Sequence, residues 1–226
     1  MAAGDDVSTP LPRVLPTTFP GPPSWPVVFG ADRPVEVELG FGRPHFLFER
    51  AAERPDRHVV GIEWKARFVE MARARIVRES VPNVVPLHAN AWLLFGALFA
   101  PGSLAGVTLN FPDPWWKAKH EKRRIVNDAF ASLVVDRLTE GGFVFIQTDV
   151  ASLLERMLEV FEGVAPAGGC ALVNPSGPLR LAPQKPMRAR SHREKKCVEA
   201  GVPIFRALLE KRPLDAVARS SSTAPT

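Results

Sequence analysis

Val35-Glu36-Val37-Glu38-Leu39-Gly40-Phe41-Gly42-Arg43-Pro44-His45 is the stretch on which the fold turns. Five strand-forming residues run into a turn bearing two glycines, and a proline follows where it can open a helix at no cost in hydrogen bonding. The pattern predicts a strand at Val35–Leu39, a helix over residues 44–54 and a second strand at His58–Glu63. Short β-branched runs alternating with helical patterns generate parallel strands joined by crossover helices.

The alternation continues outward. Residues 65–79 form an amphipathic pattern with Phe68, Val69, Ala72 and Ile76 on one face. Strands are predicted at Val84–His88, 106–111 and 143–148, with a helix over 125–138 that Gly141-Gly142 terminates, and another helix over 150–161. Two closing strands at 171–174 and 204–210 complete seven. The expected architecture is α/β, a doubly wound and mostly parallel seven-stranded sheet in a single domain over residues 25–212. Eight prolines up to Pro34 bar a helix or central strand from residues 1–24, which are expected to form a mobile tail, as is the Ser- and Ala-rich stretch 213–226.

Composition sets the bounds. The chain has 226 residues, 46% of them hydrophobic, enough for one well-buried core. Its longest apolar run, 91–100, is about half of the ~20 residues a membrane-spanning helix needs. Asp5, Asp6 and the early prolines do not suit a secretory signal, so a cytoplasmic protein with no membrane partner is expected. Cys170 and Cys197 lie far apart with no partner at metal-ligand spacing, so neither a disulfide framework nor a metal site is expected. The net charge is +5, and its distribution is uneven: residues 117–124 carry +4 and residues 180–196 carry +6, leaving −5 for the rest. Two concentrated basic segments suit a surface that follows a phosphate backbone, although charge alone fits two solvated loops equally well.

Chemistry-bearing residues collect at the predicted strand ends. The Gly40-Phe41-Gly42 turn lets backbone approach a ligand, and the helix start beyond it offers unpaired N–H donors, a combination suited to a nucleoside cofactor. The third glycine of a dinucleotide fingerprint is missing, which argues against a nicotinamide-dependent oxidoreductase. Glu63 ends the second strand, where a carboxylate can accept from both ribose hydroxyls. Asn90 is placed to reach an adenine edge, and Glu38 to meet a cofactor ammonium. Each residue alone fits an ordinary strand end; together, on one sheet edge, they favour a site. By residue type alone, the segment after the fourth strand is a rigid, proline-bounded turn that holds Asp113 at that same edge.

The ordered string Asn110-Phe-Pro-Asp-Pro-Trp-Trp-Lys-Ala-Lys-His-Glu-Lys-Arg-Arg-Ile125 closely resembles the signature of the tRNA (guanine-N7)-methyltransferase family. Trp25, Phe29-Gly30, Glu38-Leu-Gly-Phe-Gly42, Gly61-Ile-Glu63 and Thr148-Asp149 extend the resemblance over residues 25–212. It implies a class I, Rossmann-like methyltransferase fold, S-adenosylmethionine as methyl donor without a metal, and tRNA as partner, with monomer and homodimer both open. It also implies that Glu38, Gly40, Gly42, Glu63, Asn90 and Asp113 line the donor site and that Asp113 is the carboxylate at the catalytic position. Lys117, Lys119, Lys122, Arg123, Arg124 and Asp149 would contact substrate. The family's Thr-x-x-Glu is matched by Ser191-His-Arg-Glu194, which adds Ser191 and Glu194 to that set. Pro44, Asn90 and Ser191 depart from the family pattern. A binding module with a decayed site and a methyltransferase acting on another nucleophile are the alternatives.

Overall fold

The computed structural model describes residues 21–113, 126–166, 168–177, 179–182 and 184–216. Strands β1 (Val35–Leu39), β2 (His58–Glu63), β3 (Val84–His88), β4 (Leu104–Asn110) and β5 (Leu138–Thr148) run parallel. Together with β6 (Cys170–Val173) and β7 (Phe205–Pro213) they form one sheet in the order β3-β2-β1-β4-β5-β7-β6. Only β7 runs against its neighbours, pairing antiparallel with both β5 and β6. The chain winds outward from β1 to β3 and then returns to β4 on the other side of β1. That reversal opens a crevice at the carboxyl ends of β1 and β4, where ligands bind in open α/β sheets.

The helices α1 (Trp25–Phe29), α2 (His45–Glu53), α3 (Ala66–Glu79), α4 (Ala91–Leu98), α5 (Asp128–Arg137), α6 (Ala151–Glu162) and α7 (His192–Glu199) cover the sheet. Strand residues alternate between its two faces. Val37, Leu39, Val60 and Ile62 join one cluster with Phe95 of α4, Val134 of α5 and Leu158 of α6. Val59 and Val84 face the other side, against Leu47 and Phe48 of α2 and Val69, Ala72 and Ile76 of α3. The central strands are therefore buried on both sides, which in β1 includes Glu36 and Glu38.

Two close approaches position α2 and the turn before it. A Cβ added to Gly61 of β2 would lie 2.5 Å from Leu47 and 2.7 Å from Phe41, so the helix rests on bare strand backbone there. Arg50 of α2 is buried and forks onto Glu36 of β1, with Nε donating to Oε2 at 2.7 Å and a terminal nitrogen to Oε1 at 2.8 Å. Arg57 adds a third bond to the same carboxylate at 2.8 Å.

The predicted strands and long helices appear in order, with some instructive departures. Helix α5 starts at Asp128, where the Asn127 side chain caps the Phe130 N–H, and it ends at Arg137 rather than at the glycines. Gly141 and Gly142 lie inside β5. Leu138 pairs with Leu104, pairing resumes at Phe143 opposite Gly106, and the residues between form an irregularity with Gly141 at φ +74°. A side chain at Gly142 would meet the carbonyls of Thr139 and Leu104 at 2.9 and 3.0 Å, so the glycine serves the strand irregularity. Helices α1, α4 and α7 were not predicted. The α4 sequence is apolar nearly all round and shows no helical period. Residues 1–20 and 217–226 of the expected tails lie outside the described residues. Both cysteines are buried and unpaired, and among the described residues no helix is long and apolar enough to cross a membrane.

Breaking one partner of a buried ion pair leaves an uncompensated charge and typically costs 3–5 kcal/mol. Arg57 still meets Glu36 in Arg50→Met, so the expected loss of unfolding stability in urea titrations is at the low end of that range, about 3 kcal/mol, and adding Glu36→Met should restore part of it.

Candidate active site at the carboxyl edge of the sheet

The turn after β1 is held open by backbone geometry. Gly40 and Gly42 adopt φ +70° and +53°, which side-chain-bearing residues disfavour, and no heavy atom lies within 4 Å of where a Cβ would stand at either. Buried Glu63 at the end of β2 fixes the turn: one carboxylate oxygen accepts from the Gly42 N–H at 2.9 Å, the other from the Lys65 N–H at 2.8 Å. Each oxygen keeps a lone pair. Pro44 is the N-cap of α2, and no side chain caps that helix.

Glu38, at the end of β1, is 1% exposed. Its Oε1 accepts from Asn110 Nδ2 at 2.6 Å, whereas its Oε2 is buried and has no hydrogen-bond partner among the described residues. Burial pushes its carboxyl up to about 8; the Asn110 bond opposes that shift, nearby Glu63 adds to it and Lys185 draws it down. The polar row continues across the sheet. Asn110 Oδ1 accepts from Gln147 Nε2 at 2.6 Å, and that nitrogen also donates to Glu194 Oε2 at 3.0 Å. Gln147 Oε1 in turn accepts from Arg206 Nε at 3.3 Å. Glu194 further accepts from Lys185 at 2.6 Å and Arg206 at 3.2 Å. Burial alone would raise the Glu194 carboxyl, but its bonds to Lys185, Gln147 and Arg206 prevail and hold it below the usual range.

The remaining predicted residues fall into three groups. Asn90 is the N-cap of α4, its Oδ1 accepting from the Trp92 N–H at 3.0 Å; the exposed indoles of Trp64 and Trp92 follow Glu63 and Asn90 in the chain. Asp113 is exposed and follows Phe111, whose φ of +50° places a non-glycine residue in the left-handed region while its N–H donates to the Gln147 carbonyl at 2.7 Å. The chain therefore turns sharply at Phe111, where a merely extended turn was expected. Asp149 accepts from Arg193 of α7. Ser191 and Glu194 form a capping box: Ser191 Oγ accepts from the Glu194 N–H at 3.1 Å, and the Glu194 carboxylate accepts from the Ser191 N–H at 3.3 Å. Serine caps as well as threonine does, so the departure at Ser191 preserves this local structure. Lys117, Lys119, Lys122, Arg123 and Arg124, with Trp115 and Trp116, lie outside the described residues.

Thus Glu38, Gly40, Gly42 and Glu63 converge at the crevice, Asp149, Ser191 and Glu194 gather around the start of α7, and Asn110 and Gln147 bridge the two groups. No role was read for Gln147, Lys185 or Arg206 from the sequence. The only signal was a glutamine in an otherwise apolar strand.

Next to Glu194 opens a cleft of about 660 Å³ whose walls carry Lys185, Arg188, Arg190, Lys195 and Arg206. Its rim is pinned to α2, because Glu53 accepts from the N–H groups of Arg188 and Ala189 and Glu49 from that of Arg190. The backbone is thereby fixed while the Arg188 guanidinium stays 92% exposed.

Residues 32–207 match a family described as "Putative methyltransferase". The chain is 33% identical over 207 residues to the tRNA (guanine-N(7)-)-methyltransferase of Myxococcus xanthus, covering 88% of this chain and 98% of that one. A protein of the same description from Anaeromyxobacter dehalogenans is 35% identical over 190 residues, covering 84% and 92%. Among solved structures, the 16S rRNA methyltransferase KamB aligns with a TM-score of 0.53 at 12% identity, over 80% of this chain and 88% of that chain, a likeness of fold.

A carboxyl raised above its unfolded value of 4.5 makes the folded state bind more protons, so its contribution to stability declines as pH rises from about 4.5 to about 8. Glu38→Gln has no such group. Its Tm relative to wild type is expected to climb steadily across that window and level off above it, as scanning calorimetry at a series of pH values would show.

Proposed function

The chain belongs to the tRNA (guanine-N7-)-methyltransferase family, and on that premise we propose how its residues divide the transfer of a methyl group from S-adenosylmethionine to guanine N7 in tRNA. Glu38 carries the assignment of the donor site: its buried carboxyl at the switch point has one oxygen without a partner among the described residues, and an ammonium group placed there would draw the carboxyl into its ionised form. The Gly40–Gly42 backbone leaves room for the donor's methionine portion. Glu63 uses its two remaining lone pairs for the ribose hydroxyls. Asn90, whose carbonyl caps α4, turns its NH₂ toward the adenine ring.

S-adenosylmethionine supplies an electrophilic methyl group on a sulfonium. Guanine N7 already carries a lone pair, so no general base is required, and the product ring gains positive charge. Catalysis by the protein is then mainly alignment, together with negative charge placed where the cation develops. Asp113 serves both ends: its carboxylate accepts from guanine N1–H and the exocyclic amine, which orients N7, and it stabilises the methylated ring. The sharp turn at Phe111 presents it. Asp149, Ser191 and Glu194 border the base.

Lys117, Lys119, Lys122, Arg123 and Arg124 hold tRNA phosphates, as does the cleft of Arg188, Arg190 and Lys195. Such contacts set affinity and orientation without reading sequence. A tRNA substrate places the enzyme in the cytoplasm.

Asp113→Ala is expected to bind S-adenosylhomocysteine normally yet lose at least ~100-fold in kcat/KM, measured as N7-methylguanosine released from unmodified tRNA after reaction with labelled donor. Near-normal turnover would remove Asp113 from the mechanism. The pair Arg188→Ala and Arg190→Ala should weaken tRNA binding and reduce the log–log salt slope by about 2. An unchanged slope would place these residues away from the RNA.

A further inference from the structure

Four side chains at the carboxyl edge form a hydrogen-bond chain with a single possible direction. Arg206 only donates, so both amides between it and Glu38 are fixed from that end, whichever protonation state Glu38 holds. Gln147 must turn its Oε1 to Arg206 and its NH₂ to Asn110, and Asn110 must turn its NH₂ to Glu38. Flipping either amide would oppose donor to donor and acceptor to acceptor. The backbone sets the spacing, because Asn110 stands opposite Gln147 across β4 and β5, and Gln147 opposite Arg206 across β5 and β7. Gln147 is 0% exposed, and all of its polar capacity is committed: one N–H to Asn110, the other to Glu194, its oxygen to Arg206.

We infer that Gln147, acting through Asn110, is a positioning residue that couples the methyl-donor pocket at Glu38 to the target-base pocket at Glu194. This rests on the proposed placement of the donor ammonium at Glu38. An ammonium there draws Glu38 into its ionised form, and the anion strengthens the Asn110 bond and, through it, the Gln147 and Arg206 bonds behind it. The second N–H of Gln147 transmits the change to Glu194, which Lys185 and Arg206 also grip. The charged groups facing Glu38 are Glu63 from β2 and Lys185 from the segment before α7, with the Asn110 amide from β4. The effect is reciprocal, since a coupling free energy belongs to both sites. Full burial of a glutamine is otherwise unfavourable, and its bonds to both pockets supply the reason for it.

The test is calorimetric titration of S-adenosylhomocysteine into the full-length protein, with and without saturating unmodified tRNA. In wild type, tRNA should tighten this binding at least ~5-fold. In Gln147→Met the ratio should fall to within about twofold of unity. Arg206→Met, at the half-buried end of the chain, should lower the ratio too and provides the measurement if Gln147→Met fails to give a cooperative melt. A residue that merely supported the fold would weaken binding with and without tRNA alike and leave the ratio untouched, which would overturn the inference, as would a wild-type ratio of one. Glu38→Gln separates the two levels. Undiminished S-adenosylhomocysteine binding in that variant would refute the donor-site assignment itself, whereas weakened binding with an unchanged Gln147→Met ratio would refute only the coupling.

Discussion

A carboxyl group buried at the end of a central parallel strand must either be neutralised or be met by donors, and the carboxyl edge of this sheet is organised around that requirement at Glu38. Strand β1 is covered on both faces, so Glu38 cannot reach bulk water, and burial drives its carboxyl upward. Asn110 meets one oxygen, and no described residue donates to the other. The same logic applies on the far side of the sheet, where Glu194 is as deeply buried but is supplied with Lys185, Arg206 and Gln147 and so stays ionised. Burial thus pushes one carboxyl group up, while the donors around the other hold it down. The difference lies in how many donors the surrounding elements bring.

Those donors come from elements whose placement depends on α2. The Arg50–Glu36 fork ties α2 to β1, and Glu49 and Glu53 on the same helix bind the backbone of residues 188–190. That grip places Lys185 on one side and the capped start of α7 on the other. The rings of His45 and His192, at the first turns of α2 and α7, lie with centroids 5.2 Å apart. One short helix therefore sets the Gly40–Gly42 turn on its N-terminal side and the cationic cleft along its flank. Within residues 180–196 the described charges interleave with carboxylates from α2 and α7, leaving Arg188 and Arg190 outward.

Much of this was legible in the sequence, for identifiable reasons. Strands β1 to β5 are short runs bounded by glycine, proline or charge, so their existence and order follow from pattern. Glu63, Gly40 and Gly42 were readable because strand end, turn and helix start are consecutive. The Ser191-x-x-Glu194 spacing carried a helix start in plain view, although family resemblance drew attention to it as a substrate motif and α7 went unpredicted. Gly141-Gly142 misled because glycines that end a helix and glycines that relieve a strand irregularity look the same in one dimension. Only the pairing of Leu138 with Leu104 separates them.

By itself, then, the sequence determined the doubly wound class, the succession of strands and helices along the chain, the positions of the acidic strand ends and the family to which the segment Asn110–Ile125 points. These depend on local spacing and on residue identity along a continuous stretch. The tertiary structure alone decided that Glu38, Asn110, Gln147 and Arg206 stand in one row, that Glu194 closes onto it, and that residues 188–190 lean on α2. Those contacts join residues 12 to 141 positions apart. Nothing local distinguishes a glutamine that bridges two pockets from one that ends a strand, because its role is set by which strands the sheet places beside it.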